Sequence, residues 1–196
     1  MFEAGRPRID FGVTLISALL GANGQVMLDT TEIAIFAAVG LVFALGLIAL
    51  CRWSGAPAQR IAAYALIALS FLYVGFAFRA EEPGPWVGVE MTGVAVFGTF
   101  AGMSIIGSPW WVVAGFALHP LYAIYFHYIG AGSLFAPAPF VIANAAFDVA
   151  TALFVAYAAL RGAGKKTMGA ATSAPQRKLA ARSQHRSQSR DAGGPA

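Results

Sequence analysis

Residues 139–160 read PFVIANAAFDVATALFVAYAAL, an apolar run with one charged side chain, Asp148, near its middle. A helix rises about 1.5 Å per residue and a bilayer's hydrocarbon core is about 30 Å thick, so roughly 20 apolar residues cross it. The stretch meets that length. Its aspartate then sits where an ionised group costs roughly 2.5–3.5 kcal/mol on insertion scales, comparable to the gain from about six to ten Leu, Ile, Phe or Val residues. Such a side chain must turn from lipid toward protein. Asn144, Asp148 and Thr151 follow an i, i+4, i+7 spacing and so share one helix face.

Four earlier stretches have the same character: Glu32 to Cys51, Ile61 to Arg79, Trp86 to Ile106 and Pro109 to Ile129. With Pro139 to Leu160 they predict an all-α, polytopic membrane bundle of five transmembrane helices over residues 32–160. The chain is 58% hydrophobic and 11% charged, with mean hydropathy +0.67, a balance that a soluble domain of this size cannot hide from water. Asp29 and Glu32 have the spacing of a capping box, which fixes the start of the first span. The lone cysteine, Cys51, rules out an intrachain disulfide and reads as a packing residue, with palmitoylation as the alternative.

Residues 1–31 are predicted to be an interfacial segment. The apolar run Phe11 to Leu20 behind Arg6 and Arg8 also has a signal-like look, and Met27 is an alternative start. From Arg161 onward the chain holds eight Lys or Arg against one acid, Asp191, and few large apolar residues. It reads as a disordered basic tail attracted to anionic lipid headgroups at about 1 kcal/mol per charge. With no interleaved aromatics, nucleic acid is not the expected partner. Placing the tail in the cytoplasm puts the N-terminus outside, Arg52 and Arg60 inside, and the Arg79, Glu81, Glu82 loop outside, in keeping with the positive-inside bias of an inner (plasma) membrane protein. Besides lipid, a second copy or another membrane protein is the candidate partner; Gly98 and Gly102 have the small-xxx-small spacing of close helix approach.

The last three spans carry Glu90, His119, His127, Asn144 and Asp148. Measured from span midpoints, His119 and Asp148 fall within about 3 Å of the bilayer centre and the other three roughly 8–12 Å toward the outside. Short connections make these spans antiparallel neighbours, so Glu90, His119, Tyr122, His127, Asn144 and Asp148 are the candidates for one outer-half site. Four of them also have a plain reading: Asp148 and His119 as a hydrogen-bonded helix tie, His127 as part of an interfacial belt with Tyr125 and Tyr128, Glu90 as a snorkelling side chain. Pro120 predicts a kink beside His119.

The segment Gly115 to Leu160 resembles an uncharacterised family of small bacterial multi-pass membrane proteins with a His followed by Trp-Asp, then a His pair, and later a Phe-Asp. His119 to Tyr122 stand where the His-to-Trp stretch would be, His127 matches the second paired His, and Phe147-Asp148 match the Phe-Asp. Ala123 stands where that family has Asp, Phe126 replaces the first paired His, and Asn144 falls where a Cys is expected. The resemblance points to His119, His127 and Asp148 and implies no known activity; if the family's full His and Asp set binds a metal, part of it is missing here.

Three readings remain open: a binding or translocation protein for a proton or small solute, an accessory subunit whose polar residues only fix packing, and a membrane enzyme in which His119, His127, Asp148 and Glu90 bind a metal and activate water. Catalysis is the least expected of these, and no cofactor is indicated. No phosphate loop, nucleophile elbow or His-Glu-x-x-His motif is present.

Overall fold

The computed structural model describes residues 28–162. The expectations for an interfacial or signal-like segment and for a basic tail fall on residues up to 27 and from 163, outside the described residues. Five helices long and apolar enough to cross a membrane run through the described residues. They are α1 (Thr30–Ser54), α2 (Ala58–Ala77), α3 (Pro83–Ile106), α4 (Trp110–Tyr122) with a π-helical continuation (Ala123–Ile129), and α5 (Ala138–Gly162). A 3-10 turn, Ala131–Leu134, lies between the last two.

Local chemistry fixes most ends. Asp29 and Glu32 form the capping box: the Glu32 amide donates to Asp29 Oδ1 at 2.8 Å and the Asp29 amide to Glu32 Oε2 at 3.0 Å. Gly55 closes α1 with φ of 65°, the left-handed conformation that favours glycine. Pro83 opens α3, where its missing N–H costs nothing. At the far end of α3 the Gln59 side chain donates to the Ser104 carbonyl, tying the start of α2 to the last turn of α3.

Ala62, Ala63 and Leu66 of α2 meet Phe97 and Ala101 of α3, Val112 and Phe116 of α4, and Ala152 and Val155 of α5 in an apolar core, with the Ser104 hydroxyl buried toward the same end. The opposite end is closed by Phe135 and Ala136 from the 130–137 connection, packed with Tyr73, Ala123 and Val141 and flanked by Trp86, Phe126 and Phe140. Outward faces are apolar: Phe43, Ile129 and Leu153 are about two-thirds exposed, which suits lipid as the surrounding solvent. Of the described residues, 28–156 belong to one compact unit; beyond it, the Arg161 guanidinium lies 4.6 Å from the Tyr157 ring centre.

Close helix approach occurs at different glycines from the expected pair. Space around Gly98 and Gly102 is open. The buried face of α3 carries Glu90, Phe97, Ala101 and Ser104, and each glycine lies one residue further along, rotated about 100° away from it. The tight contacts are at Gly40, where a side chain would run into the Ala143 carbonyl of α5, and at Gly115, where it would come within 2.6 Å of Leu66 Cδ2 and 3.1 Å of Phe100 Cβ. Gly40 belongs to a narrow stripe of Phe36, Gly40, Ala44, Leu47 and Cys51 that is the buried side of α1, so Cys51 serves as a packing residue.

Candidate functional site

All six polar candidates lie in the half of the bundle nearest the 78–82 and 130–137 connections. Glu90 is seven residues into α3 and Asn144 and Asp148 are six and ten residues into α5, so along their own helices they lie about 9–15 Å from that end. On α4, His119 and His127 are eight residues apart, which in an α-helix leaves them about 80° apart around the axis. The π-helical continuation begins at Ala123, shortly after Pro120 removes an amide from the ladder. An i→i+5 turn takes up one extra residue, about 100° of rotation, and so brings His127 back to the side that His119 faces.

The deeper part of the site joins α4 to α5 and α2. His119 Nδ1 lies 2.7 Å from Asp148 Oδ2, and both side chains are fully buried. The pair shares a proton: an ionised Asp148 accepts from Nδ1–H, and a neutral Asp148 donates to a bare Nδ1. Asn144 donates from Nδ2 to Asp148 Oδ2 at 3.1 Å and to Tyr73 Oη at 3.3 Å, which settles which way its amide points. Its 3.3 Å approach to His119 Nδ1 is a hydrogen bond only in the state where Nδ1 carries no proton. Phe97 meets the His119 ring edge-to-face, with centroids 4.6 Å apart.

The shallower part joins α4 to α3. Tyr122 donates to Glu90 Oε2 at 3.3 Å, and His127 Nε2 is 3.5 Å from the same oxygen. That second contact is a charge pair when the ring is protonated, but its geometry is not a hydrogen bond, since both ring nitrogens of His127 are without a partner. The ring stacks on Tyr73, with centroids 4.0 Å apart and planes 12° from parallel. Tyr73 therefore touches both parts, stacking on His127 and accepting from Asn144.

Two plain sequence readings give way here. His127 is 0% exposed rather than part of a solvated belt, because the π turn aims it inward and Phe135 packs over it. Glu90 is 1% exposed; seven residues into α3, it turns to the bundle, where Tyr122 and His127 receive it, and does not snorkel. Tyr73 was not among the sequence candidates. Its signal was its place on the face formed by Ala62, Ala63, Leu66, Ser70 and Ala77, an i, i+4, i+8 stripe buried throughout.

Among the described residues, eight buried side-chain atoms lack a hydrogen-bond partner, and six belong to this site: Glu90 Oε1, His119 Nε2, His127 Nδ1 and Nε2, Asn144 Oδ1 and Asp148 Oδ1. Ser104 Oγ and Thr151 Oγ1 are the others. Buried polar atoms are ordinarily met by protein groups or water, so the cluster concentrates further hydrogen-bonding capacity in one place. The two acids are split between two histidines, and no three His, Cys, Asp or Glu side chains converge as metal ligands among the described residues. The arrangement suits proton exchange between acid and base partners. The chain matches no protein-family model, no curated protein and no solved structure.

Proposed function

We propose that this is a multi-pass membrane protein whose buried polar site, built from His119, Asp148, Asn144, Glu90, His127, Tyr122 and Tyr73, binds or translocates a proton or a small solute. One observation carries the reading: two acid–base pairs, His119 with Asp148 and His127 with Glu90, are buried in the same half of the bundle, and Tyr73 touches both. Ionisable groups kept inside a membrane bundle are expected to serve a moving or binding species. In this reading the site lies in the outer half of an inner-membrane protein, with the N-terminus outside and the basic tail against anionic headgroups, as the loop charges suggest. The family resemblance over Gly115 to Leu160 is kept as part of the proposal, resting on its short motifs.

A packing role is the competing reading, favoured by the way Asn144 and the His119–Asp148 contact tie α2, α4 and α5 together. The metal-enzyme reading ranks third, because the acids and imidazoles form two pairs and no three-ligand set. The separating experiment uses liposomes loaded with a pH-sensitive dye. Under an imposed pH gradient, wild-type protein should move protons faster than protein-free vesicles, and Asp148→Asn should abolish that while the folded yield is unchanged. If wild type adds nothing and Asp148→Asn alters only thermal stability, the packing reading stands instead.

A further inference from the structure

Building on the reading that the site handles a proton, we infer that His127 and Glu90 form an outer proton-accepting station through which the deeper His119–Asp148 pair is loaded. His127 is two residues from the end of its helix, and His119 is eight residues further in. The two ring nitrogens of His127 face different surroundings. Nδ1 lies against the 3-10 turn: a side chain at Gly132 would come within 2.5 Å of it, so a bare glycine backbone is what allows the turn to cover that nitrogen. Nε2 faces Glu90 Oε2 at 3.5 Å. Neither nitrogen is held by a hydrogen bond, and the carboxylate is held by Tyr122 through its other contact.

A ring so placed passes a proton by relay. When the 3-10 turn moves enough for water to reach the ring, a proton adds to Nδ1, giving imidazolium; the Nε2–H bond then breaks, and its proton joins Glu90 Oε2, leaving a neutral carboxylic acid and a neutral imidazole. The ring is left as its Nδ1–H tautomer, and the Nε2–H form returns only when Nε2 gains a proton and Nδ1 gives one up to water before the next transfer. The 3.5 Å gap must shorten by a few tenths of an ångström to reach hydrogen-bonding distance. The groups around the station are Tyr122 and His119 from α4, Tyr73 from α2, and Asn144 and Asp148 from α5; the buried stripe of α1 adds only Cys51, near its opposite end. Beyond Asp148, toward the opposite end, the buried polar side chains among the described residues are Thr151 and Ser104, hydroxyls that do not titrate. Proton supply from the end covered by the 130–137 connection is therefore the shorter polar route to Asp148.

The test uses the full-length protein in lipid nanodiscs, with time-resolved infrared detection of protonated carboxyl groups after a pH drop. Signals are assigned by their loss in Glu90→Gln and in Asp148→Asn. The Glu90 signal should form first, and Asp148→Asn should leave its rate unchanged. His127→Asn should slow it at least tenfold with the final amplitude retained. Gly132→Ala, which crowds Nδ1 without removing a titratable group, should slow it in the same direction. Glu90→Gln should delay the Asp148 signal. A wild-type Glu90 rate in both His127→Asn and Gly132→Ala, or an undelayed Asp148 signal in Glu90→Gln, overturns the outer station. Either result would leave the loss of proton movement in Asp148→Asn untouched, so failure of the station and failure of the broader reading are told apart.

Discussion

Replacing His119 and Asp148 singly and then together asks what their 2.7 Å contact is for. His119→Leu leaves Asp148 fully buried with Asn144 Nδ2 as its one remaining donor. Stranding one member of a buried charge pair typically costs about 3–5 kcal/mol, whereas replacing both members with apolar residues of similar volume is often neutral or stabilising. The expected outcome is a destabilised His119→Leu, a milder loss in Asp148→Leu, and recovery to near wild-type stability in the double variant. Equilibrium unfolding in mixed micelles reads the coupling energy of the cycle. A neutral helix–helix hydrogen bond within a bilayer averages about 0.6 kcal/mol and reaches about 1.7, so coupling above about 2 kcal/mol identifies a pair that carries charge. A double variant as unstable as His119→Leu would refute the reasoning, because the polar pair would then be required by the fold.

Gly40→Ala should cost folded yield, since its side chain meets the Ala143 carbonyl, while Gly98→Ala and Gly102→Ala should be neutral or stabilising by up to about 1 kcal/mol from helix propensity; unfolding of the three variants side by side checks this. Phe135→Ala removes the ring over His127 and should raise amide exchange across the Ala123–Ile129 segment, measured by hydrogen–deuterium exchange, with the α2–α3 core unchanged. Pro120→Ala returns an amide to the helix and should draw the π turn back toward α geometry, rotating His127 off Tyr73; a cysteine pair at positions 73 and 127 should then crosslink less efficiently than in the proline-containing protein.

The five spans were legible because lipid sets a length and a polarity that few sequences meet by chance, and the Asp29 to Glu32 box marked the start of the first, which begins at Thr30, two residues before the expected Glu32. The face of α5 was legible too, since Asn144, Asp148 and Thr151 obey ordinary helical spacing and are all buried. Glu90 and His127 were harder. Both lie within two turns of a helix end, where a side chain can face water, lipid or protein, and His127 reaches the interior only through a π turn that α-helical spacing does not anticipate. Gly98 and Gly102 meet no other helix among the described residues, because the motif names a spacing but leaves open which way it faces. Tyr73 was hidden by its chemistry: a tyrosine near a span end ordinarily marks the interface, and only its register with the alanines of α2 turns it inward.

The most direct test of the central claim is proton movement across dye-loaded liposomes by the His119→Leu/Asp148→Leu protein. The account predicts a variant that folds and unfolds like wild type and moves no protons beyond the rate of empty vesicles. Wild-type proton movement in that folded variant would contradict it.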